Sequence, residues 1–267
     1  MSPNDEIHDH DRGLQFDLPR LLSRRHALGV IAAGVGTTVL AACGGSTSSG
    51  DDSGTTAASD EESISEETAG PFPADGSNGP DVLSESGVVR QDITTSFGDF
   101  SGKAEGIPTA VELTLLDVAG GGGPLVKAAV YLWQSTREGG YSLYDPAVAD
   151  QNYLRGVQVS DEDGRLSFRS IFPACYDGRW PHLHFEVYDS LDAATSGSPR
   201  LRTSQMALPK EVCDAVYVTA GYEQSATNLS QVSLDTDLVF SDGYAGQLAS
   251  WTGSIEDGIA LKLNVGV

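Results

Sequence analysis

Residues 181–188 read Pro-His-Leu-His-Phe-Glu-Val-Tyr, and His182 with His184 is the pair in this chain best suited to chemistry. The chain has five histidines, of which His8, His10 and His26 lie upstream of Cys43 in a segment that reads as an export signal. Removal of that segment leaves two imidazoles, spaced His-x-His. On a strand, residues two apart face the same way, so both rings project together while Leu183, Phe185 and Val187 fill a core behind them. The pattern suits a metal ion, zinc or copper being ordinary partners of an imidazole pair. It equally suits two hydrogen-bonded or surface histidines.

The neighbourhood narrows the choice. Residues 172–181, Phe-Pro-Ala-Cys-Tyr-Asp-Gly-Arg-Trp-Pro, carry Tyr176 and Arg179 directly into the His-x-His strand. Farther back, an apolar run ends in Trp133-Gln134, and a glycine turn follows that presents Tyr141, with Tyr144 and Tyr153 as rivals by proximity. A phenol ordinarily titrates near about 10, but direct coordination to a trivalent cation favours the phenolate far more than a hydrogen bond does. A metal site that used such tyrosines beside the histidines would suit zinc and copper less than a harder metal.

The elements that must hold these residues read as strands. Residues 111–118 alternate in part and 128–133 are a strongly apolar run; Gly120–Gly123 and Pro124 separate them, a strand, turn, strand signal. Asp161-Glu162-Asp163-Gly164 is turn chemistry leading into 165–171, where Leu166, Phe168 and Ser170 share a face. Further strands are expected at 183–188, 200–206, 214–218, 236–240 and 258–265, with 219–245 mostly loop. Many short strands with Gly, Pro and Asp punctuation predict an all-β fold, an antiparallel β-sandwich with long loops and little helix.

The rest of the chain sets the domain plan. Ser23-Arg24-Arg25 precedes an apolar run of sixteen residues rich in Ala, Gly and Val, Ala27 to Ala42, too short and too weakly hydrophobic for a membrane span. Residues 1–43 thus read as a twin-arginine signal ending in Leu40-Ala41-Ala42-Cys43, a lipobox-like sequence in which Cys43 would carry the lipid; ordinary cleavage without lipid is the alternative. Residues 44–67, rich in Gly, Ser, Asp and Glu, lack the apolar side chains needed to offset the entropy of ordering and are expected to be a disordered acidic linker. About 200 residues, 68–267, remain for one domain. With Cys43 assigned to the anchor, Cys175 and Cys213 could form a disulfide or remain two buried thiols. Sixteen Lys and Arg against 38 Asp and Glu give a formal charge of −22, which excludes nucleic acid and an electrostatic membrane partner. The localisation expected is exported, as a surface or membrane-anchored lipoprotein or a secreted protein.

On the residues quoted, the chain resembles the intradiol catechol dioxygenases, non-haem iron enzymes that include catechol 1,2-dioxygenase and protocatechuate 3,4-dioxygenase. Trp133-Gln134 with Tyr141 after a glycine turn matches the family's first tyrosine ligand, and Pro173-x-x-Tyr176 matches the second. Arg179-x-x-His182-x-His184-Phe185 matches the histidine run, and Thr203-Ser204-Gln205 a later glutamine. Glu67-Thr68-Ala69-Gly70-Pro71-Phe72 is similar to the Gly-Pro segment that opens the family's catalytic domain. The likeness covers about residues 66–206 and fades over the last 60. Five residues separate Tyr176 from His182 where the catechol enzymes carry a longer insertion, and their dimerising helical N-terminal region is missing, which leaves substrate specificity and oligomeric state open.

The resemblance implies a two-sheet β-sandwich that binds Fe(III) through Tyr141, Tyr176, His182 and His184. It implies Tyr176 as the displaceable ligand opposite His184, Arg179 as stabiliser of developing negative charge, and Gln205 as the residue orienting it. Two tyrosinates and a hydroxide cancel the +3 charge of the metal, and a neutral centre costs less to bury than a net ion. The implied reaction is cleavage of a catechol between its hydroxyl-bearing carbons by O2, giving a cis,cis-muconate-type product without reductant or organic cofactor. The acidic charge leans slightly against carboxylated catechols. The competing expectation is an exported non-catalytic β-sandwich that binds aromatic ligands.

Overall fold

The computed structural model describes residues 62–267; the expected signal, Cys43 and residues 44–61 of the expected linker lie outside them. The strands are β1 (Pro108–Asp117), β2 (Gly123–Pro124), β3 (Ala129–Trp133), β4 (Arg155–Val159), β5 (Arg165–Ile171), β6 (His182–Tyr188), β7 (Arg202–Ala207), β8 (Ser250–Ser254) and β9 (Gly258–Gly266). Short helices α1 (Leu191–Thr195), α2 (Lys210–Val216) and α3 (Glu223–Leu229) and a 3-10 turn at Phe240–Asp242 decorate them.

The strands form two sheets. One is ordered β2-β1-β9-β8, with β5 pairing the same edge of β1 that β2 extends; the other is β4-β3-β6-β7. Alternation drives the stacking. Thr109, Val111, Leu113 and Leu115 on β1 are buried while their neighbours are not, and β5 and β9 repeat the pattern. These residues meet Val130, Leu132, Leu183, Phe185 and Val187 of the second sheet in the main core. The fold is the expected all-β sandwich, but not wholly antiparallel. β1 and β9 run parallel from Thr109↔Ile259 to Leu116↔Gly266, a pairing between chain segments so far apart that no local turn signal marks it.

The second sheet is buried on both faces, and every residue of β6 is inaccessible. Its outer face carries Ala129, Tyr131, Trp133, Val157 and Tyr188, packed under Ala74, Val82, Leu83 and Val88 of the preceding irregular segment. That cover converts one side of β6 from solvent to interior, and the histidines lie on that side.

Several expectations need correcting. Residues 214–218 fall at the end of α2 rather than on a strand, because Val212, Cys213 and Val216 bury one helical face; a short apolar run does not distinguish the two periods. Residues 236–240 lead into the 3-10 turn, and the expected loop 219–245 contains α3. β4 and β8 carry no sequence expectation, and the two-residue β2 falls inside the expected turn. The ordered domain also begins before residue 68: Ile64 is buried, its N–H bonded to the Gly266 carbonyl at 2.9 Å, and the Glu67 N–H bonds the Thr203 carbonyl at 2.8 Å. Cys175 and Cys213 are buried free thiols.

Candidate active site

Strand register builds the site. His184 on β6 is paired with Trp133 on β3 and with Gln205 on β7, so one cross-strand row carries an indole, an imidazole and an amide. The Trp133 ring lies flat on that of His184, centroids 5.0 Å apart and planes 5° from parallel. Tyr141 enters from the turn closed by the Thr136 N–H on the Gly140 carbonyl, 2.8 Å. Gly139 in that turn has φ +99°, and a Cβ there would stand 3.2 Å from Tyr176 Cβ, so glycine both permits the turn and leaves room for the second tyrosine. Tyr176 comes from the loop before β6.

The four side chains converge on one point. The Tyr141 and Tyr176 hydroxyls are 3.4 Å apart, Tyr176 Oη is 3.0 Å from His182 Nε2, the two Nε2 atoms are 3.1 Å apart, and His184 Nε2 is 3.2 Å from Tyr141 Oη. Each atom thus faces two of the others around a closed ring. His182 Nδ1 lies 2.5 Å from the Trp180 carbonyl, which can only accept, so the proton sits on Nδ1 and Nε2 turns a lone pair inward. Burial, then the Arg179 charge, holds His182 well below the ordinary histidine range; burial, His182 and Arg179 do the same to His184. Both rings are therefore neutral, as metal ligands must be. Burial and the neighbouring Tyr176 raise the Tyr141 hydroxyl well above 10, and burial raises Tyr176 against the opposing pull of Arg179.

This donor set fits a hard trivalent metal. Two phenols and two neutral imidazoles present oxygen and nitrogen lone pairs to a common centre, and as phenolates the two tyrosines would offset two of the three charges. Among the described residues no group of three or more His, Cys, Asp or Glu side chains is placed to hold a metal, so a site here depends on its tyrosines. The rivals are elsewhere occupied: Tyr144 Oη accepts from the Ala74 N–H at 2.9 Å and donates to the Asn78 carbonyl at 3.1 Å, and Tyr153 packs with Ala104, Leu154 and Ile171.

Arg179 closes one side. Its Nη1 is 3.4 Å from His182 Nε2, its Nη2 donates to Gln205 Oε1 at 2.7 Å, and Gln205 Nε2 donates to the Thr68 carbonyl at 2.8 Å. Burial alone would lower its pKa, but Tyr176 and Asp237 raise it, so the guanidinium stays charged. The Gly-Pro segment expected to begin the catalytic domain lies against the site: a Cβ on Gly70, at φ +71°, would stand 3.3 Å from His184 Cε1, and the Phe72 ring is 5.1 Å from that of Tyr141. Asp237, whose carboxylate binds Arg179 Nε at 2.9 Å, was missed, as was the stacking role of Trp133. A lone aspartate in an aperiodic stretch carries no motif.

Residues 78–194 match the family model described as Dioxygenase. A chlorocatechol 1,2-dioxygenase from Rhodococcus opacus is 45% identical over 56 residues, a match that spans 21% of this chain and 22% of that protein. An intradiol ring-cleavage dioxygenase from Tetranychus urticae superposes with a TM-score of 0.58 at 22% identity, covering 75% of this chain and 92% of that one. The chain thus resembles the intradiol ring-cleavage dioxygenases in signature and in fold. The family match stops at residue 194, so Tyr141, Tyr176, Arg179, His182 and His184 lie inside it, while Gln205 and Asp237 lie beyond it.

Proposed function

We propose that this chain is a non-haem Fe(III) intradiol dioxygenase that opens a catechol ring between its two hydroxyl-bearing carbons with O2, giving a cis,cis-muconate-type product. The observation that carries the reading is the closed ring of Tyr141, Tyr176, His182 and His184, with neighbouring contacts of 3.0–3.4 Å. The dioxygenase signature over residues 78–194 supports it. When bound, ferric iron supplies a Lewis acid that binds a catecholate and activates it toward dioxygen.

The chain's own residues account for the rest. Tyr176 is more exposed than Tyr141 and lies against His182, so, as the phenolate that a bound metal would make it, its oxygen would be the base positioned to take a hydroxyl proton from an entering catechol. Tyr141, at 3% exposure and packed by Phe72, stays in place. His184 is clamped between Trp133 and Gly70 and has little freedom to turn. Arg179, charged and buried, stabilises negative charge that develops on the substrate beside His182. Gln205 ties that guanidinium to the Thr68 backbone and so to the Gly70–Phe72 segment.

The acidic charge leans the reading only slightly away from carboxylated catechols, so simple catechols, hydroxyquinol and lignin-type fragments all belong in the substrate panel. The proposed setting is outside the cytoplasm, through the twin-arginine sequence at Arg24-Arg25 and a lipid at Cys43. Export of a folded protein would let iron be chosen inside the cell, where copper and zinc compete less for nitrogen ligands. No helix among the described residues is long and apolar enough to cross a membrane. Iron-loaded protein should show a visible tyrosinate-to-iron charge-transfer band; a colourless protein holding one zinc per chain would overturn the metal assignment.

A further inference from the structure

Asp237 is fully buried, and both carboxylate oxygens are saturated. Oδ1 accepts the N–H groups of Val239 and Phe240 at 2.8 and 3.2 Å, which fixes the carboxylate to its own turn. Oδ2 accepts Arg179 Nε at 2.9 Å and the Trp180 N–H at 2.7 Å. A guanidinium is planar and rigid, so two anchored nitrogens determine the third. With Nε on Asp237 and Nη2 on Gln205 Oε1 at 2.7 Å, Nη1 is left no choice but its place 3.4 Å from His182 Nε2. A buried ion pair is poor value as a stabiliser, since burying two charges costs about as much as their attraction returns. Its distinctive product here is orientation. The same 3-10 turn also brings the Phe240 ring to 6.4 Å from His182.

We propose that Asp237 is the positioning residue that aims Arg179 at the metal-binding ring, which makes the segment around residues 237–240, beyond the dioxygenase signature, a working part of the site. The inference rests on the intradiol reading for its catalytic consequence, but the aiming itself does not depend on the reaction. Asp237→Asn keeps an oxygen for the turn amides yet sets an NH2 group against Arg179 Nε or against those amides.

The test uses the full chain. Iron-loaded D237N should lose about 10- to 100-fold in kcat on catechol, with KM within about threefold of the parent. In an Arg179→Ala background the same substitution should change kcat by less than about twofold, because a residue acting only through Arg179 has nothing left to aim. An equal loss in both backgrounds, or no loss in the first, overturns the proposal. A second readout needs neither metal nor turnover. In metal-free protein the Arg179 Nε–H resonance, assigned with Arg179→Lys, should be protected from exchange at least about 100-fold over an exposed arginine, and D237N should lose most of that protection. An unprotected Nε–H in the unmutated protein overturns the proposal even if D237N does not fold. If the iron-loaded parent opens no catechol, the intradiol reading fails while the exchange result still decides what Asp237 does to Arg179.

Discussion

Tyr141 and Tyr176 have the same chemistry in different settings, and the difference predicts how their loss will read out. Tyr176→Phe, at the more accessible phenol, should alter the charge-transfer absorption of the iron form and lower turnover by at least about tenfold, measured by visible spectroscopy and oxygen uptake; an unchanged spectrum would remove Tyr176 from the ligand set. Gly70 faces a different constraint. Its φ of +71° and the 3.3 Å approach of His184 mean that Gly70→Ala adds both backbone strain and a contact on a ligand ring. Thermal unfolding should show a loss of roughly 1–2 kcal/mol, together with weaker iron retention in a chelator competition. At this scale the sequence was informative where residue types are rare. Two histidines, a Pro-x-x-Tyr and an arginine crowded into the twelve positions from Pro173 to His184 carry a recognisable order, and the structure brings all of them together with Tyr141. Asp237 was illegible because aspartate is common, and its partner Arg179 lies 58 positions away.

β6 shows what an element contributes beyond its residues. Leu183, Phe185 and Val187 anchor it in the core while His182, His184 and Glu186 face the covered side. Phe185→Ala should therefore cost about 3–5 kcal/mol in denaturant unfolding and weaken metal binding without touching a ligand. The two thiols behind the site make a separate prediction. Burial pushes Cys175 up to about 12 and Cys213 well above its ordinary value, so neither should react with iodoacetamide at neutral pH until the protein is unfolded, as peptide mapping would reveal. Long strands with clear alternation, β1, β5 and β9, were readable because one face is buried and the other wet. The 214–218 run fits either period because its four apolar residues are too few to decide, and β4 opens on Arg155-Gly156, which carries no strand signal. Arg155 is instead fully buried, its guanidinium bonded to the Phe72 and Ser142 carbonyls.

At the scale of the whole molecule, a charge of −22 leaves few cations to serve the buried acids, and Glu186 shows the consequence. It is inaccessible, takes the Tyr188 hydroxyl at 2.7 Å, and shares Arg200 with Asp75, joining β6 to the segment that covers it. Burial raises its pKa from 4.5 to about 7 despite Tyr188 and Arg200. The folded state therefore binds a proton that the unfolded chain releases between those values, and stability falls as pH rises from 4.5 through 7. Glu186→Gln should remove that part of the slope, so the difference between parent and variant stabilities, followed by thermal unfolding across this range, should change by roughly 1–3 kcal/mol. A constant difference would mean that Glu186 titrates normally. Among the described residues, Ile64 is the first to reach the core. The most direct test of the central claim is the product formed by iron-loaded protein from catechol under 18O2. Oxygen uptake and a ring opened between the hydroxyl-bearing carbons are expected, with both labelled atoms in the dicarboxylate; a product opened beside the hydroxyls, or no uptake across a panel of catechols, would rule out intradiol cleavage.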